Sequence, residues 1–75
     1  MVDHLARARE FRRRAAKFQQ TAKDSTSAKF GDCYRLLAEN YLVLAELEED
    51  YVAREKAALR ERNSALLQNT LIAAE

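Results

Sequence analysis

The sequence predicts an all-α protein: an antiparallel helical hairpin with a long second helix, assembling into a homodimeric four-helix-type bundle. Three observations predict it. The 75 residues contain no proline and a single glycine. Apolar residues return at steps of three and four in two segments, the period of a helix with one buried face. Between the segments stands one run of short polar residues, "KDSTSAK", whose side chains compete with helical backbone bonding and favour turns and N-caps.

In the first segment Leu5, Ala8, Phe11, Ala15, Phe18 and Ala22 share a stripe, which predicts helix one over about residues 3–22. The turn falls at about 23–27. Ser27 is the preferred N-cap of the second helix, with Ser25 as the alternative, and Gly31 costs about 1 kcal/mol relative to alanine if it lies inside the first turns. Beyond it the pattern holds a strict seven-residue register. Phe30, Leu37, Leu44, Tyr51, Ala58, Ala65 and Ile72 form one column, and Ala38, Ala45, Val52, Leu59, Leu66 and Ala73 form the column beside it. A period of seven kept so long marks helices packed along their length. Helix two is therefore predicted over about 28–62, continuing to about 73, although Asn63 and Ser64 are residue types that also cap a separate terminal helix.

One domain, residues 1–75, is the limit at this length, since a chain of about 60 to 80 residues buries only about 60% of the surface it exposes when unfolded. Help from another chain is expected. A short turn makes the two helices antiparallel neighbours, so Phe18 is expected near Tyr34, Phe11 near Tyr41 and Leu5 near Leu47. The expected hairpin core is Leu5, Phe11, Phe18, Leu37, Tyr41 and Leu44. Helix one ends its reach near position 50, yet the apolar columns continue. Tyr51, Val52, Leu59, Leu66 and Ile72 are thus the expected oligomer interface, and a second copy related by a two-fold axis is the preferred way to cover it. A third helix folding back after Ser64, or an unidentified protein partner, are the competing covers.

Charge is balanced in sum and divided in sequence. Thirteen Lys and Arg face twelve Asp and Glu, a net +1, which is not the composition of a dedicated polycation. From Asp3 to Lys23 seven bases meet two acids, whereas from Leu36 to Ala53 there are five acids and no base. Antiparallel folding lays Arg7, Arg9, Arg13, Arg14 and Lys17 beside Glu39, Glu46, Glu49 and Asp50. Exposed pairs are worth about 0 to 1 kcal/mol each, so they are expected to fix orientation while the apolar stripe supplies stability.

The sequence predicts no enzyme, no cofactor and no metal. His4 is the sole histidine and Cys33 the sole cysteine, too few for a triad, an imidazole-rich zinc site or an internal disulfide. Cys33 is expected to be a half-buried packing thiol in a reducing, cytoplasmic setting. Glu46, Glu48, Glu49 and Asp50 lack the glycine bend and backbone carbonyls of a calcium loop. Neither a secretion signal nor a membrane span is present in the pattern, and no membrane partner is expected. The alternative function is that of a nucleic-acid accessory protein, with Arg9, Arg13 and Lys17 of "RAREFRRRAAK" along a phosphate backbone; the neighbouring acids and near-neutral total disfavour it.

The chain resembles a set of small bacterial helical-hairpin proteins of unknown function. In that set a first helix of spaced alanines and arginines, here "RAREFRRRAAKFQQTA", precedes a second bearing Leu-Ala-x-x-Tyr-x-x-Leu-Ala, here "LAENYLVLA" from Leu37 to Ala45. The resemblance covers roughly positions 4 to 56. The aspartate-proline start expected before the second helix is replaced by "STSAK", and the tail after Ala57 has no counterpart. What it implies is the hairpin, with no activity or cofactor.

Overall fold

A computed structural model describes residues 2–74, with side chains as far as residue 70. Two helices make up the fold, α1 (His4–Asp24) and α2 (Ala28–Ala74). Among the described residues there is no strand. The molecule is a rod, 73 × 20 × 14 Å, in which α1 lies along the first half of α2.

Each helix start is set by a short polar side chain. The Asp3 carboxylate accepts the Ala6 N–H at 2.9 Å and the Asp3 carbonyl accepts the Arg7 N–H at 3.1 Å, satisfying amide groups that the first turn leaves without helical partners. At the other end of α1 the Ser25 N–H donates to the Ala22 carbonyl at 3.3 Å. Ser27 then opens α2: its hydroxyl accepts the Phe30 N–H at 3.4 Å and its carbonyl accepts the Gly31 N–H at 2.9 Å. Ser25 braces the turn, its hydroxyl donating to the Ser27 carbonyl at 3.1 Å. Both serines act, with Ser27 in the capping place. α2 runs on through Asn63 and Ser64 without interruption, so within the described residues no third helix folds back.

The innermost layer of the hairpin is made of alanines. Ala8, Ala15 and Ala22 on α1 face Gly31, Ala38 and Ala45 on α2, both sets at seven-residue spacing, and the five alanines are exposed by 6% or less. With nothing larger than a methyl group between them, the backbones approach closely. A Cβ added to Gly31 would stand 3.4 Å from the Ala22 carbonyl oxygen, ordinary van der Waals distance. Close approach substitutes many weak dispersion contacts for the burial of large side chains.

The larger apolar residues are accordingly displaced to the flanks. Phe11, Phe18 and Tyr41 are half-buried, while Leu5, Leu37 and Leu44 keep 42%, 41% and 41% of their surface exposed. Two of the three expected neighbour pairs meet: Phe18 lies 6.1 Å from Tyr34 and Phe11 lies 6.0 Å from Tyr41, centroid to centroid. Phe18 also stacks on Tyr41 at 5.6 Å, and the His4 ring stands 4.4 Å from Tyr51. These rings form a ladder along one edge of the hairpin. Offset and tilted ring pairs add about 0.5–1.5 kcal/mol each beyond area burial. Leu5 and Leu47 remain open, the latter 59% exposed.

Overpacking the seam separates this arrangement from an ordinary leucine core. Ala15→Leu or Ala38→Leu is expected to cost about 1–3 kcal/mol of unfolding free energy, whereas Ala16→Leu on the exposed face of α1 should cost less than about 0.5 kcal/mol. Gly31→Ala, whose new methyl fits and whose helix propensity rises, should stabilise by up to about 1 kcal/mol. Urea unfolding followed by circular dichroism reads all four.

Candidate functional site

The candidate site is the apolar stripe of α2 where α1 no longer covers it. Gly31, Ala38 and Ala45 belong to a column that continues in Val52, Leu59 and Leu66. The first three are buried against α1, Val52 is half-buried at the end of α1, and Leu59 and Leu66 are 50% and 58% exposed. Every residue from 53 to 70 is exposed. Tyr51, in the adjoining column, is 53% exposed with its ring against His4. Of the five expected interface residues, Ile72 lies outside the described side chains. The other four follow one side of a helix that extends about 33 Å past its cover, at 1.5 Å per residue.

A second apolar surface lies on the hairpin itself. The column Phe30, Leu37, Leu44 and Tyr51 runs beside the alanine column, with Phe30 62% exposed, and borders the ladder of half-buried rings. Farther round α2, Leu36 and Val43 are 60% and 53% exposed. Size alone suggests that Leu37 and Leu44 form a core. The signal for their surface position is the uninterrupted small-residue column beside them, which brings α1 in at a different angle.

Ion pairs between the helices use two of the residues the charge blocks suggest, Arg7 and Glu49, but join them to Glu48 and Arg12. Glu48, whose side chain is only 16% exposed, is hydrogen-bonded by the His4 ring and approached by Arg7 Nε at 3.4 Å. Arg12 reaches Glu49, with Nε 3.4 Å from one carboxylate oxygen and the terminal guanidinium nitrogen on the other. That hydrogen bond, and then the charge of Glu49, raises the Arg12 pKa. Arg13 and Arg14 turn back to Glu10 on their own helix, at 2.7 Å and 3.3 Å. Asp50 is held within α2 by Arg54 at 3.0 Å. Arg14 further sits 5.9 Å above the Tyr41 ring, a cation–π contact that ties the charged edge of α1 to the ring ladder.

The residues considered for phosphate contact are divided by this pairing. Arg9, Arg13 and Lys17 are all exposed, but Arg13 is engaged bidentately by Glu10, while Arg9 and Lys17 make no ion pair among the described residues. Cys33 is exposed, in contrast to the half-buried thiol expected, because its position on α2 turns away from α1. Among the described residues no polar or charged residue is buried, no group of three or more His, Cys, Asp and Glu side chains is placed to hold a metal ion, and no helix is long and apolar enough to cross a membrane. A depression along the opposite edge of the hairpin, lined by Gln19, Ala22, Lys23, Arg35, Ala38 and Glu39, is an open groove between solvated side chains. The arrangement is suited to binding by apolar contact.

No protein-family model, no curated protein and no solved structure matches the chain.

The Glu10 carboxylate is held below its ordinary value of 4.5 by its hydrogen bond to Arg13 and by the charges of Arg13 and Arg14. A depressed folded-state pKa means that this contribution is present above the ordinary value and is lost as pH falls through the folded one. The difference in Tm between the parent chain and Glu10→Gln should therefore be largest near neutrality and vanish in acid, as thermal melts from pH 7 to 3 would show. Arg12→Ala, which removes a solvated inter-helix pair, should lower the Tm only slightly at neutral pH, and raising the salt concentration should shrink that difference further, as thermal melts would show.

Proposed function

We propose that the protein is a non-enzymatic interaction module that self-associates through the apolar stripe of its second helix, in a reducing, cytoplasmic setting where the exposed Cys33 stays a thiol. One observation carries the reading. The same seven-residue column that α1 buries at Ala38 and Ala45 emerges at Leu59 and Leu66 half-exposed, with no part of the described chain against it.

Exposed apolar patches of that extent mark sites of association. A second copy carries the identical stripe, so a two-fold arrangement satisfies both chains with one surface, which is the commonest symmetry of soluble oligomers. Of the three residues considered for phosphate contact, Arg13 is already held by Glu10, and the neighbouring Arg12 and Arg14 also have carboxylate partners, which leaves Arg9 and Lys17 as separate charges and favours association over phosphate binding. The outer half of α2 is apolar and rich in alanine, interrupted by two charged triplets, Arg54–Lys56 and Arg60–Arg62.

Sedimentation velocity on the full chain is expected to give twice the chain mass of 8.6 kDa. Leu59→Lys combined with Leu66→Lys should return it to the single mass while the helical circular dichroism of the hairpin persists. A double variant that still sediments as a dimer would show that the outer half of α2 is not the contact.

A further inference from the structure

We infer that the uncovered end of α2 docks on the hairpin of a second copy, against the edge formed by Phe11, Phe18, Tyr34 and Tyr41, with the two-fold axis passing at Tyr51. The inference rests on the self-association reading and adds to it the receiving surface and the register.

The first ground is length. Tyr51 is the midpoint of α2 (Ala28–Ala74), and it is also where α1 gives out, with the His4 ring against the Tyr51 ring. Residues 28–50 therefore form the covered half and residues 52–74 the uncovered half, equal in length. Rotation by 180° about an axis through Tyr51 lays each uncovered half along the hairpin half of the other chain. Neither rod then outruns its neighbour.

The second ground is the pairing of sizes. Positions equidistant from Tyr51 in its column are Leu44 with Ala58 and Leu37 with Ala65. The hairpin half offers leucines, 41% exposed in each case, and the outer half offers alanines, which is the alternation of knob and hole that lets two helices interdigitate. On the outer half the neighbouring column, Val52, Leu59 and Leu66, then falls beside α1 of the second copy, next to Phe11 and Phe18. Each end of the assembly becomes a three-helix cross-section: α1, the first half of one α2 and the second half of the other.

The third ground is area. Phe30, Leu37, Leu44, Leu47 and Tyr51 leave on the order of 500 Å² of apolar surface open on the hairpin, at the upper end of what a monomer shows. Leu59 and Leu66, with the alanines between, bring the contribution of each chain to roughly the 800 Å² that a stable dimer buries per partner. Pairing the two outer halves with each other would leave the hairpin patch open and use less than half of this area. The docking surface is continuous with the α1–α2 seam, so its occupant shares the heptad period of α2 itself.

Small-angle scattering on the unmodified full chain decides between the two dimers. Full overlap gives a particle no longer than one α2, about 70–75 Å, whereas pairing of the outer halves alone gives about 105 Å, at 1.5 Å per helical residue. A dimer of the shorter length is expected. A dimer of the longer length overturns the docking and leaves self-association standing; a single-mass particle at all concentrations removes self-association and the docking with it. Single-cysteine chains give an independent reading. In a Cys33→Ser background, Tyr51→Cys should form a disulfide-linked dimer under mild oxidation and Asn63→Cys should not. The reverse result overturns the register.

Discussion

Two helix backbones can lie almost in contact only where their facing side chains are no larger than a methyl group, and that closeness governs the rest of this molecule. Ala8, Ala15 and Ala22 against Gly31, Ala38 and Ala45 set the distance and the angle of the hairpin. Once the seam is this narrow, rings and leucines have no room inside. They are pushed to the edges, where Phe11, Phe18, Tyr34 and Tyr41 stack on one another and Leu37 and Leu44 stand half in water. The tight core and the exposed apolar flanks have one cause.

Electrostatics plays the smaller part. The inter-helix pairs at Glu48 and Glu49 lie near the open end of the hairpin, where they hold the start of α1 in register, and the Glu10 cluster stays within one helix. None of the ions on α1 is buried, so each contributes through partial solvation and is screened by salt. Orientation follows from the turn and the seam, and the charges agree with it.

Much of the fold was legible in the chain. Steps of three and four located the first helix and seven-residue columns the second, the serines of the turn named their own capping roles, and a three-residue connection brought Phe18 to Tyr34 and Phe11 to Tyr41. Finer angles were not legible. Leu5, Ala8, Phe11 and Ala15 belong to one stripe, and periodicity locates a stripe without saying which column within it points straight at the neighbour. Weighting by hydrophobic size favours leucine and phenylalanine for that place, whereas backbone proximity favours alanine, and here proximity decides. The same angular slack blurs the ion pairs: Arg7 and Glu49 reach the other helix as expected, but their partners Glu48 and Arg12 stand one residue from the expected Glu49 and Arg13, and one residue is about 100° around a helix. Cys33 is exposed for the same reason.

A seam of methyl groups also shapes what genetic change the chain can absorb. Single-base changes in an alanine codon yield glycine, serine, valine, threonine, proline, aspartate or glutamate, and only the first two add little or no volume to a site that is exposed by 6% or less. At each of the five buried alanines most accessible replacements therefore force the helices apart. The flanking leucines and rings, which look more like a core, tolerate a change of size more readily, because each has open space on one side.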